Sequence, residues 1–270
     1  MLYLKIIAKK KGSAFMNIAV ISPDNRGCGA TSIALLVGAA LKNRGESCVV
    51  MSLDRRSYGL REYVGDAGNL AEKNGGIENI CRLLASGSLN ASDVDSYCVD
   101  CGVDILPGGQ KVHANDIGDA ISFLGEANIN GRSLYTIVDV DIRNMADKLV
   151  ETEIKEADVI VVVLTQNSEH IRHIRENRNN MSRAFAGKRV CFVVNKYDKF
   201  AGTLKEVYTD AGFKKGDDWY EVRYNKCVVL MTAKHYIKNV VEALKDGSDP
   251  DVAELKADIE RLAFSVIRRK

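Results

Sequence analysis

Residues 16–42 read MNIAVISPDNRGCGATSIALLVGAALK. Ile18, Ala19, Val20 and Ile21 form a short apolar run that predicts a buried strand, ended by the turn pair Ser22-Pro23. From Thr31 to Lys42 the chain carries apolar helix formers without a proline, and Gly45 follows as a stop. Between the two lies SPDNRGCGATS, 22–32, a glycine-bearing turn that leads from a strand directly into a helix N-terminus. Such a turn suits a phosphate. Glycines let successive backbone N–H groups point inward, and the helix adds the positive end of its dipole. Gly27, Gly29 and Thr31 stand where the backbone donors and a magnesium-binding hydroxyl belong, but the lysine position is Ala30. On the loop alone, a tight glycine turn of any doubly wound fold reads equally well.

The rest of the chain repeats the alternation. Strands are predicted at 48–53, 103–106, 134–140, 159–164, 189–194 and 228–231, and helices at 76–86, 115–126, 143–156, 168–185, 201–212, 236–245 and 251–268. Continuous apolar strands separated by helices predict an α/β fold with a mainly parallel sheet covered on both faces. Polar groups then fall at strand C-termini, where open α/β sheets bind ligands: Asp54, Asp139, and Asn195-Lys196-Tyr197-Asp198. An Asp after one strand is commonly a turn former. The phosphate-type loop together with three such strand ends is more specific.

Composition limits the alternatives. The longest aliphatic run, 159–164, is far shorter than the roughly 20 residues of a membrane span. The net charge of +2 does not mark a dedicated nucleic-acid binder. Residues 1–15, MLYLKIIAKKKGSAF, carry four lysines and no acid, and read as an extension ahead of one domain over 16–270. The seven scattered cysteines read as reduced thiols of a cytoplasmic protein. Cys98 and Cys101 lack the second ligand pair that a zinc site needs.

On these motifs the chain resembles the ParA/MinD family of deviant-Walker P-loop ATPases over nearly all of 16–270. The segments TSIALLVGAALKNRG at 31–45 and CVVMSLD at 48–54 carry the broad likeness. Within the family it resembles the TadZ/CpaE-like members associated with Flp (Tad-type) pilus and secretion assembly. VDILPGG at 103–109, ADVIVVVLTQN at 157–167, FVVNKYDK at 192–199 and VRYNKCVVLMTAKH at 222–235 carry that narrower likeness. The resemblance implies a P-loop NTPase fold of the SIMIBI/MinD type, a homodimer across the nucleotide face, and ATP/ADP with magnesium as cofactors. It implies a phosphate loop of Gly27, Cys28, Gly29, Ala30, Thr31 and Ser32, with Thr31 on magnesium. Asp54 then corresponds to the residue that orients the attacking water, Asp139 to the Walker B aspartate on magnesium, and Asn195 to the residue that reads the base. NKxD also occurs in GTPases, so Asp198 leaves guanine open.

The departures bear on activity. The family's P-loop lysine is Ala30, its signature lysine falls at Asp24 or Asn25, and the adjacent Arg26 is the cation that remains to meet a phosphate. A missing lysine removes charge stabilisation from the transition state, so the sequence predicts at most a weak ATPase. The implied role is that of an assembly or positioning factor for a pilus or secretion system, cytoplasmic or recruited to the inner face of the membrane. A partition-type ATPase for DNA segregation is the alternative.

Two further features are read blandly. His170 and His173, with the arginines of HIRHIRENRNNMSR, predict an exposed charged helix rather than a metal or DNA site. Val252, Leu255, Ile259, Leu262 and Val266 form one helical stripe, read as packed on the sheet rather than laid on a membrane.

Overall fold

A computed structural model describes residues 16–23, 27–52, 60, 63, 76–107, 114–126, 128–129, 132–140, 148–213, 218–233 and 237–268. The strands are β1 (Met16–Ile21), β2 (Ser47–Ser52), β3 (Val99–Asp100), β4 (Asp104–Leu106), β5 (Asn128–Ile129), β6 (Arg132–Val140), β7 (Val159–Leu164), β8 (Arg189–Tyr197) and β9 (Asp218–Arg223). The helices are α1 (Ala30–Asn43), α2 (Gly76–Ala85), α3 (Ala114–Glu126), α4 (Lys148–Glu156), α5 (Ser168–Ala184), α6 (Leu204–Asp210), α7 (Lys226–Ala233), α8 (Ile237–Asp246) and α9 (Pro250–Ile267).

The sheet order is β3-β4-β2-β6-β1-β7-β8-β9. All pairings from β4 to β9 are parallel, while β3 and β5 add short antiparallel edges to β4 and β6. Each parallel crossover has to pass over a face of the sheet, and the helices bury both faces. β7 shows why its sequence is apolar throughout. Val159, Val161 and Val163 pack on the side of α1, α8 and α9, and Ile160, Val162 and Leu164 on the side of α2 to α6. α1 lies close on its side of the sheet: a Cβ on Gly38 would meet Val50 Cγ2 at 2.5 Å.

Two expectations are corrected. The strand predicted at 228–231 is the interior of α7, and the last strand is instead Asp218–Arg223, in DWYEVR. A four-residue apolar run fits either state by periodicity. Here Asn225 Oδ1 accepts a hydrogen bond from Cys227 N at 2.8 Å and so opens a helix. β9 is an edge strand with mostly half-buried residues, which hid it from a search for buried runs. Its Trp219 stacks on Phe192 with ring centroids 4.5 Å apart. The second correction concerns His170, described below with the site.

The C-terminal stripe is in the core. Val252, Leu255, Ile259, Leu262 and Val266 are all no more than 2% exposed and share a cluster with α1. Asp249 caps the helix by accepting from Asp251 N, with Pro250 in the first turn. Arg223 of β9 donates to both carboxylate oxygens of the buried Asp258 at 2.8 Å, tying the edge strand to α9. Among the described residues, no helix is long and apolar enough to cross a membrane.

One buried acid carries a testable cost. Glu153 of α4 is fully buried and accepts from Asn17 Nδ2 at 3.3 Å. Its Oε2, Asn17 Oδ1 and the Thr136 hydroxyl have no hydrogen-bond partner among the described residues. Burial pushes the Glu153 carboxyl well above the usual carboxylate range, and Glu156 adds to this, while the Asn17 bond and Lys188 oppose it. The folded state therefore holds a proton that the unfolded chain releases near its ordinary pKa. The stability is fully present below that pKa and is lost as pH rises through the folded value. Glu153→Gln keeps the acceptor for Asn17 and removes the charge. We expect the variant to be more stable than wild type at pH 8 by at least about 1 kcal/mol, since one pH unit of separation is worth about 1.4 kcal/mol. Near pH 4 the two should agree. Urea melts at both pH values check this, and equal stabilities at pH 8 would contradict it.

Candidate functional site

β1 and β6 are neighbours in register, with Val20 opposite Asp139 and Ile21 opposite Val140. The loop that leaves β1 thus begins beside the Asp139 carboxylate. Gly27 and Gly29 both have left-handed backbones, φ 78° and 83°, which glycine adopts without steric cost. Gly29 immediately precedes α1, and its carbonyl accepts from Ile33 N at 3.0 Å. A Cβ there would sit 2.4 Å from Asn195 Nδ2, so the site requires glycine both for backbone shape and for space.

Ala30 is the first residue of α1, and its methyl packs on the core below the helix. Thr31 Oγ1 donates to Asp139 Oδ2 at 2.6 Å. The structure therefore joins two residues 108 apart in sequence that the sequence reading had assigned to one magnesium ion. Ser32 Oγ is 2.8 Å from the Tyr63 hydroxyl and is buried. Asn195 is buried at the end of β8 and donates Nδ2 to Cys28 O at 2.7 Å. The next residue, Lys196, donates Nζ to Gly27 O at 2.7 Å. Arg26 and Asp54 lie outside the described residues, as do Asp24 and Asn25.

The segment after Lys196 is held by one side chain. Gln166 Nε2 donates to the carbonyls of Asp198 and Gly202, both at 3.0 Å, and its Oε1 accepts from Asp198 N at 2.7 Å. Asp198 accepts from Phe200 N and is exposed, as is Phe200.

His170 departs from the expected exposed face. It is half-buried at the start of α5, with Nδ1 2.8 Å from Thr165 Oγ1 and 3.3 Å from Cys28 Sγ. The loop cysteine is thereby flanked by an imidazole. His173, one turn on, is exposed, with Nε2 3.3 Å from Asn177 Nδ2. Among the described residues no group of three or more His, Cys, Asp or Glu side chains is arranged to hold a metal. Cys98 and Cys101 are free thiols, and burial pushes the Cys98 thiol up to about 12. Residue type gave no warning of the contacts of His170, Lys196 and Gln166. The available signal for Gln166 and His170 was position, since both follow closely on the C-terminal end of β7, whereas Lys196 lies within β8 itself.

No family model and no curated protein sequence matches the chain. Solved structures do. A ParA family ATPase from Chlorobium tepidum TLS is 14% identical and has a TM-score of 0.65, covering 92% of this chain and 98% of its own. The MinC:MinD cell division complex of Aquifex aeolicus gives 16% identity and a TM-score of 0.66, with 94% and 98% covered. The septum site-determining protein MinD of Pyrococcus horikoshii OT3, complexed with Mg-ADP, gives 12% and 0.62, with 93% and 95% covered. Low identity with near-complete coverage of both chains is a likeness of fold, and the chain has the ParA/MinD P-loop NTPase fold.

Proposed function

We propose that this chain is a ParA/MinD-like nucleotide-binding protein with a degenerate phosphate loop, a weak or silent ATPase that works as an assembly or positioning factor. The observation that carries the reading is the Thr31–Asp139 hydrogen bond of 2.6 Å at the mouth of the left-handed glycine turn. A hydroxyl and a carboxylate in contact at a helix N-terminus are the oxygen ligands a magnesium ion takes when it bridges to phosphates. The residues present thus fit a magnesium nucleotide, ATP or ADP, which when bound supplies the phosphoryl group and its counter-ion.

The residues of this chain act as follows. Backbone N–H groups from Gly27 to Thr31 and the α1 N-terminus hold phosphate. Thr31 and Asp139 orient the metal. Asp54 would position water, and Asn195, which the resemblance assigns to the base, fixes the loop by donating Nδ2 to Cys28 O. Ala30 places no charge on the terminal phosphates, so binding outlasts hydrolysis.

The narrower role, with a Flp/Tad-type pilus or secretion machine in the manner of the TadZ/CpaE-like proteins, rests on the sequence segments named above. It places the protein in the cytoplasm or at the inner face of the membrane. The partition-type reading draws on Arg172, Arg175, Arg178 and Arg183, all exposed along α5. Nucleotide-dependent, salt-sensitive DNA binding would favour it. Assembly by a homodimer is tested by light scattering at micromolar protein. A dimer, with or without ATP, is expected; a strict monomer under both conditions would remove that part of the account.

A further inference from the structure

We propose that Lys196 supplies the phosphate loop with the cation that Ala30 does not. The inference rests on the nucleotide reading of the site. Lys196 is the one non-glycine residue among those described with a left-handed backbone, φ 55°. Such conformations persist where the surroundings enforce them, and they gather at functional sites.

The enforcement here is visible. β8 and β9 pair in register up to Asn195 opposite Val222, then slip so that Tyr197 faces Arg223. Lys196 is the extra residue of this bulge. In a regular strand, Asn195 and Lys196 would point to opposite faces of the sheet. The bulge re-aims one of them. As a result two consecutive residues grip two consecutive carbonyls of the loop, Asn195 on Cys28 O and Lys196 on Gly27 O, both at 2.7 Å.

The two contacts differ in what they leave over. Asn195 is buried and spends its amide inward, whereas Lys196 is exposed. An ammonium has three donors, and one is engaged by Gly27 O. Among the described residues no carboxylate is paired with it. The remaining donors and the positive charge stand at the rim of a loop whose own sequence ends in an uncharged Ala30 at the helix start. A cation delivered from the end of β8 is anchored on the loop through Gly27 O rather than carried by the loop itself. It is already docked before any ligand arrives.

The test is a set of titrations with ATP, ADP, AMP and adenosine, with magnesium, on the full chain. Lys196→Met keeps the length of the side chain without its charge, and Lys196→Gly keeps the left-handed backbone. Both are expected to weaken ATP and ADP by at least about tenfold and adenosine by less than about twofold. Lys196→Arg should retain most of the affinity, and adding Ala30→Lys to Lys196→Met should restore most of the loss. Thermal melts confirm that each variant is folded. A folded Lys196→Met with unchanged ATP and ADP affinity would overturn the proposal. So would an equal loss for adenosine and ATP, which would assign Lys196 to the nucleoside. A wild-type chain that binds none of the four would instead remove the nucleotide reading, and this inference with it.

Discussion

Removal of residues 252–270 is expected to leave no soluble folded protein. The deletion takes away Val252, Leu255, Ile259, Leu262 and Val266, each no more than 2% exposed, and strips the cover from α1 and the β8–β9 side of the sheet. Burying one such side chain is worth about 1.5 to 3 kcal/mol. Five of them together match the roughly 5 to 15 kcal/mol by which whole domains are stable. The deletion also leaves Arg223 without Asp258 and Glu254. Gel filtration and far-UV circular dichroism of the truncated chain should show aggregate. A graded version is Leu262→Ala, expected to cost about 2 to 5 kcal/mol in urea melts. A truncated chain that stays folded and monomeric would show that the stripe is a detachable surface helix.

The second large effect is a gain. Ala30→Lys places an ammonium on the first residue of α1, where the proposed nucleotide site would hold the terminal phosphates. The alanine methyl packs on the core only in part, so a long side chain can leave along the helix surface and reach the loop. ATP should bind at least about tenfold more tightly, equal to about 1.4 kcal/mol. Hydrolysis need not follow, because the family's second lysine is also missing from the sequence at 24–25. Wild-type turnover should fall far below the roughly 1 to 1000 per second of typical enzymes. Brisk wild-type hydrolysis would mean that a cation already in the chain does the work, with Arg26 and Lys196 the two to remove. No gain from Ala30→Lys, either alone or in the Lys196→Met chain, would mean that the loop is not shaped to hold phosphate.

Much of this molecule was legible because burial on both faces writes a plain signal. VIVVVL at 159–164 can be read as β7 because alternate residues enter two different cores. The glycine turn at 27–29 was legible as a strand-to-helix turn, and its phosphate reading drew on Asp54, Asp139 and Asn195 at the other strand ends. DWYEVR was hidden by its place at the sheet edge, where half-exposed residues blur the pattern, and the apolar run after it is helical because Asn225 caps it. Thr31 was marked by its place in the loop motif and Asp139 by its strand end, the family resemblance put both on magnesium, and the structure has them at hydrogen-bond distance. Lys196 could not be assigned that way. Its direction depends on a bulge, and a bulge leaves no mark in a single sequence. His170 read as one more polar residue of a charged helix, because its contacts come from β7 and the loop rather than from neighbours on α5.

The central claim is that the Gly27–Ser32 turn, with Thr31 and Asp139, is a magnesium-nucleotide site. Calorimetric titration of the full chain with ADP and with ATP, each with magnesium and with chelator, tests it most directly, with Thr31→Ala as the paired variant. The account predicts saturable binding that weakens when magnesium is withdrawn, and a Thr31→Ala chain whose affinity no longer responds to the metal. Absence of binding by the folded wild-type chain under every condition, or binding indifferent both to magnesium and to Thr31, would contradict it.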